Sequence, residues 1–189
     1  MKKLLLVVLI SLSVFPLYSQ EEKVDEKPCF MKNNVSFFLS DVVMKRFSFE
    51  YEHVMGDKGN MSINIPASYS FGEVRGENGG TVNWWVGMGL KLYPTGQGVI
   101  RYFVGPEVRI ISIKEAYYDY VYDASTNTTT SSNDDSSVQT AFLLNNGMIY
   151  EPVKQFVFTV SMGVGIRTSD HSSSITALIT PSVRMGIRF

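Results

Sequence analysis

From Asn33 onward, apolar and polar residues alternate along the chain, and the alternation restarts many times. A period of two sends successive side chains to opposite faces, so each restart predicts a β-strand. The last is the longest. Ile175, Ala177, Ile179, Pro181, Val183, Met185 and Ile187 share one face, with Thr176, Leu178, Thr180, Ser182, Arg184, Gly186 and Arg188 between them. The stretch before it has the same form. Phe156, Phe158, Val160, Met162, Val164 and Ile166 oppose Val157, Thr159, Ser161, Gly163, Gly165 and Arg167. Both runs exceed a soluble strand of about five or six residues.

Shorter copies precede them. The apolar stripes are Phe47 to Tyr51, Ile63 to Phe71, Trp84 to Leu92, Tyr102 to Ile110, and Phe142 to Tyr150, the last blemished by Asn146. Val35, Phe37 and Leu39 mark a short first strand. Pro66 and Pro106 fall inside strands and predict bulges or local breaks. Connections alternate in length. Short turns fall at 56–60, 94–98 and 151–154, and longer or more polar links at 72–82, 114–137 and 169–174. The brief link 41–45 belongs with the long set by parity. Eight strands then place both chain ends on the short-turn side, the arrangement of outer-membrane barrels. The predicted fold is all-β, an eight-stranded antiparallel up-and-down transmembrane barrel over residues 33–189.

Alternation does not say which face points inward. A soluble barrel is apolar inside, whereas a membrane barrel is apolar outside and polar within. The polar face here mixes glycines and small residues with Glu50, Glu52, Lys91, Glu107, Arg109, Arg167, Arg184 and Arg188. Such residues suit a narrow lumen, where opposite charges pair. Aromatic residues gather near predicted strand ends, with Tyr51, Tyr93, Tyr102, Tyr150, Phe156 and Phe189 at the short-turn side and Tyr69, Phe71, Trp84 and Tyr117 at the other. Rings at both interfaces are expected as girdles. An eight-stranded barrel is just wide enough for side chains to fill. The lumen charges are therefore expected to form a buried ion-pair network rather than line a pore, because an unpaired charge there is costly.

The start of the chain supplies the export signal. Lys2 and Lys3 precede an apolar run from Leu4 to Leu12, and the charged Glu21-Glu22-Lys23 follows Ser19 and Gln20. This describes a signal peptide over residues 1–20, followed by a periplasmic leader over 21–32. The run is short for a membrane helix, which needs about 20 apolar residues. The single cysteine, Cys29, lies beyond the cleavage region, so neither lipid attachment nor an internal disulfide is expected. Net charge is −1 with both signs interleaved, which offers no basic field for nucleic acid.

The ending Val183-Arg184-Met185-Gly186-Ile187-Arg188-Phe189 resembles the terminal strand of outer-membrane barrels, and Arg46-Phe47-Ser48-Phe49-Glu50-Tyr51-Glu52-His53 resembles the second strand of small members of that family. The resemblance is to the small eight-stranded barrels of OmpA, OmpX and OmpW type. It implies an outer-membrane location, surrounding lipid, and recognition of the strand ending at Phe189 by the barrel assembly machinery. It implies no catalytic residues.

Few constellations carry chemistry. The Gly87-x-Gly89 and Gly163-x-Gly165 pairs lack the helix a phosphate loop needs, and crowding in the lumen explains them. Asp170, His171 and Ser173 resemble the constellation of outer-membrane lipid A deacylases, since a nucleophile needs a neighbouring base. A serine-rich loop is a poor holder for it, and no enzyme activity is expected. Tyr117, Tyr118, Tyr120 and Tyr122 with Asp119 and Asp123 form a surface loop suited to protein recognition, running into a Ser/Thr/Asn-rich tip at 125–137 expected to be disordered. Its carboxylates are a weak calcium candidate. His53 has no second ligand in view, so neither metal nor cofactor is expected. The leading expectation is a non-enzymatic barrel with structural or loop-binding duties. The alternatives are a narrow channel for small or apolar solutes, a lipid hydrolase, and a secreted ligand-binding barrel.

Overall fold

The computed structural model describes residues 31–56, 58–71, 81–117, 121–123, 128–130, 133–153, 155–168 and 175–189, with the backbone alone at 115–117, 121–123, 128–130 and 133–135. The expected signal peptide, most of the leader, Tyr118, Tyr120, His171 and Ser173 lie outside these residues.

Eight antiparallel strands close into a barrel. In chain order they begin with β1 (Asn33–Phe38), β2 (Arg46–Met55), β3 (Met61–Ser70), β4 (Thr81–Leu92) and β5 (Ile100–Tyr117). A small hairpin of β6 (Val121–Asp123) and β7 (Thr128–Thr130) follows, then β8 (Asn133–Val153), β9 (Phe156–Thr168) and β10 (Ile175–Arg188). Each barrel strand pairs with its predecessor, β5 pairs with β8, and β10 returns to β1. Closure is fixed where β1 begins and β10 ends, as the Asn33 and Phe189 backbones exchange N–H···O bonds of 3.0 and 2.9 Å.

The inward and outward assignments follow the alternation. Met88, Val160 and Met162 are exposed on the outside, while Lys91, Thr159 and Arg184 are buried within. Asn146 points outward among Leu144 and Met148, so the blemish in that stripe is real.

Several expectations are corrected. Leu39 does not continue β1 but opens a short helix, α1 (Leu39–Val43). The chain leaves the strand because Asp41 turns inward, where its carboxylate accepts a 2.5 Å hydrogen bond from Ser48. Lys45, at φ 55°, then reverses the chain into β2. Tyr93 is not in a girdle. It follows outward-facing Leu92, so parity carries it into the lumen at 2% exposure. The tip expected to be disordered at 125–137 is paired strand at its described residues 128–130 and 133–137, because β8 runs into the link to meet β5 and β6–β7 pairs inside it. Of the bulges or local breaks expected at Pro66 and Pro106, the local breaks are present and the bulges are not. The two prolines sit where ladder pairing lapses, between Asn64↔Gly89 and Ala67↔Val86 and between Gly89↔Glu107 and Leu92↔Val104. The register shifts lie between Val82 and Trp84 and between Tyr150 and Val153.

Candidate functional site

The lumen is filled from one end to beyond its middle. At the short-turn end, Arg101 and Arg188 meet Glu151 Oε2 at 2.8 and 2.9 Å, and both also donate to Gln97 Oε1. Gln97 is anchored in turn to the Gly59 carbonyl. This group was missed in the sequence because Gln97 and Glu151 fall in stretches read as turns. Arg101 and Glu151 are nonetheless in phase with inward-facing Phe103 and Ile149, which was the available signal.

Above it sits the central network. Lys91 Nζ lies 2.5 Å from Glu50 and 2.9 Å from Glu52. Glu50 also takes Arg184 at 2.6 Å and the Asn64 amide at 3.0 Å. Glu52 accepts from the Ser62 hydroxyl at 2.8 Å and from Tyr93. Tyr93 lies in the turn after β4. Burial, and then the neighbouring Glu52 carboxylate, push its pKa well above the usual phenol value, so it remains a donor at neutral pH. The cations also lie against aromatic faces. Lys91 is 5.2 Å from the Phe103 centroid, and Arg184 is 5.1 and 5.8 Å from those of Phe38 and Phe103.

Apolar side chains complete the packing, which the polar-lumen expectation did not foresee. Tyr93, Phe103, Ile149 and Val157 form one cluster, and Phe38, Trp85, Ile111, Ile113 and Ala141 form a second towards the long-loop end. Below the floor made by Lys91, Phe103 and Arg184, the side chains of Glu50, Glu52, Val54, Arg101, Ile149 and Val157 are each no more than 2% exposed.

The long-loop half is different. There a cavity of about 480 Å³ remains, with Glu107 paired to Arg109 and accepting from the Asn145 amide at 2.6 Å. Arg109 stacks 4.1 Å from the Trp85 centroid. Arg167 lines this cavity and has no ion-pair partner among the described residues, so it stands apart from the network expected to include it. Of the candidate binding tyrosines, Tyr117 ends β5 and Tyr122 lies in β6. Among the described residues no group of His, Cys, Asp or Glu is arranged to hold a metal. No helix is long and apolar enough to cross a membrane, which says nothing of strands.

No protein-family model matches the chain, and no curated protein is significantly similar to it. Among solved structures, the crystal structure of Ail, the attachment invasion locus protein of Yersinia pestis, aligns over 85% of this chain and 99% of its own at 10% identity and a TM-score of 0.45. A backbone structure of the Yersinia pestis outer membrane protein Ail in a phospholipid bilayer nanodisc aligns over 84% and 99% at 12% identity and a TM-score of 0.29. Neither likeness is close enough to carry an argument. The fold rests on the strand ladder.

Proposed function

We propose that the chain is an integral outer-membrane barrel that works as a plugged scaffold, presenting the arm formed by the outer ends of β5 and β8 with β6–β7 to a partner outside the cell. One observation carries the membrane half of this reading, namely the inverted sidedness. Phe47, Phe49, Met88, Leu144, Val164 and Ile179 are each 46–66% exposed on the outer wall, while Glu50, Glu52, Lys91 and Arg184 are at most 4% exposed inside. In water such an exterior is unfavourable by roughly 25 cal/mol for each Å² of apolar surface left wet. In lipid it costs nothing, and a closed barrel satisfies the backbone internally.

The presenting half is supported by strand length. β5 and β8 run to 18 and 21 residues, whereas a membrane needs about 9–11. Tyr117 rides on that excess, and Tyr122 lies in the β6–β7 hairpin that follows it. The filled lumen weighs against a channel. Fractionation of cells expressing the full chain tests the proposal. The protein should stay in outer membranes through a carbonate wash, leave them only with detergent, and lose its arm to protease added to intact cells. Recovery in the soluble periplasmic fraction would overturn it.

A further inference from the structure

The barrel wall has a gap, and it adjoins the cavity. β1 has six residues and β10 has fourteen, so β1 covers β10 only as far as the pair Phe38↔Arg184. From Ile175 to Val183, β10 is paired with β9 alone. Across the gap, Arg46, Phe47 and Ser48 of β2 pair with β3 but not with β1. The short helix α1 packs into the lower part, where Ser40 Oγ accepts a 3.4 Å hydrogen bond from the Val183 N–H.

Above that point the free edge is adapted to remain unpaired. The Asn33–Phe189 exchange fixes which β10 residues turn their backbone groups towards β1, and by period two Pro181 is one of them. Proline has no N–H, and in sheets it is found on edges that face away from a partner strand. The cavity is lined by consecutive residues of β10 from Thr176 to Ser182. Consecutive residues belong to both faces of a strand, so the cavity wraps around the edge and opens sideways.

Its chemistry is also uneven. Five cationic side chains line it against two carboxylates, Asp41 and Glu107. Lys91 and Arg184 are shared with Glu50 below, and Arg109 is paired with Glu107. Arg46 and Arg167 have no carboxylate partner among the described residues, and the buried Nε atoms of Arg46 and Arg184 have no hydrogen-bond acceptor among them. The remaining walls are apolar and aromatic, with Phe38, Val82, Trp85 and Leu178. Outside the gap, Ile175 and Ile179 are 69% and 66% exposed.

We infer that this cavity binds the anionic head group of an amphiphile whose alkyl chain leaves through the gap between β10 and α1. The arginines hold the head as charge-assisted donors, and the exposed isoleucines of β10 take the chain. A single-chain acid and an anionic membrane phospholipid share this chemistry. The site depends on the membrane reading only for the source of the chain, not for the cavity itself.

The two tryptophans make the test direct, because Trp84 points out and Trp85 lines the cavity. In a Trp84→Phe variant of the full chain, folded in detergent, Trp85 is the only reporter. Palmitate brominated near its carboxyl end should quench it saturably. Excess unbrominated palmitate should reverse the quenching and methyl palmitate should not. Arg46→Gln and Arg167→Gln should each weaken the effect about tenfold, as loss of one charge-assisted hydrogen bond does, while Arg46→Lys should retain part of it. Folding of each variant is checked by its heat-modifiable gel mobility. In nanodiscs, quenching by brominated phosphatidylglycerol and not by brominated phosphatidylcholine would identify a membrane lipid as the source. Absence of quenching in both settings, or equal reversal by methyl palmitate, would overturn the inference even if fractionation places the protein in the membrane.

Discussion

The Lys91 ammonium lies 2.5 Å from the Glu50 carboxylate, and both side chains are almost wholly withdrawn from solvent. They come from β4 and β2, so the contact spans the lumen across β3. Lys91 serves two carboxylates, and while Glu50 also has Arg184, Glu52 has no other cation among the described residues. Removing one partner should therefore be far worse than the net worth of the pair. Lys91→Met is expected to cost about 3–5 kcal/mol by leaving Glu52 without a cation. Equilibrium unfolding of the reconstituted barrel measures this, and a loss under about 1 kcal/mol would mean that the network is wetter than its burial indicates.

Glycine positions separate crowding from mere composition. A Cβ at Gly165 would collide with the Phe142 carbonyl, which is ladder backbone and cannot yield, whereas a Cβ at Gly98 meets nothing closer than 3.7 Å. Gly165→Ala should destabilise by about 1–3 kcal/mol as overpacking does, and Gly98→Ala should leave the unfolding midpoint unchanged. Comparing the two midpoints checks the lumen packing directly.

The arm should be dispensable for folding. Tyr117 and Asn133 are already cross-strand partners, so residues 118–132 can be replaced by Asn-Gly, which favours a two-residue hairpin turn. Closure entropy changes little with loop length. The shortened protein should assemble and show the same heat-modifiable mobility, while any surface binding that the intact protein shows should be lost. Full binding by the shortened protein would move the contact elsewhere.

Strand number, facing and closure were legible in the sequence because period-two alternation follows directly from backbone geometry. Most of the central network was legible too, since Glu50, Glu52, Lys91 and Arg184 each fall on the polar face of their own strand. Beyond the short-turn ion group and the apolar lumen clusters, three further features were not. Asp41 ends β1 through a side-chain hydrogen bond to Ser48, a tertiary contact that no local pattern reports. Tyr93 looked like a girdle residue because its amphipathic ring suits an interface as well as a lumen. Arg167 was grouped with the other lumen charges by parity alone. Parity gives a face, but the height of a residue along the barrel depends on register, and height decides whether it reaches a partner.

The plug predicts silence. Purified protein in planar bilayers should show no steady conductance, with or without the arm, because packed side chains below the cavity floor leave no continuous path. Stable unitary currents that shift when Glu50 or Lys91 is replaced would restore the channel alternative.

The central claim is that the apolar face meets hydrocarbon and the charged face meets the lumen. A photoactivated carbene precursor that partitions into the bilayer tests this without mutation, with insertion sites mapped by mass spectrometry on the reconstituted protein. The expected result is labelling of Met88, Val160 and Met162, which are 46–61% exposed on the outer wall, and sparing of Lys91, Thr159 and Arg184, which are at most 4% exposed. Labelling of Lys91 and Thr159 with Val160 spared would contradict the account and return the protein to the class of soluble barrels.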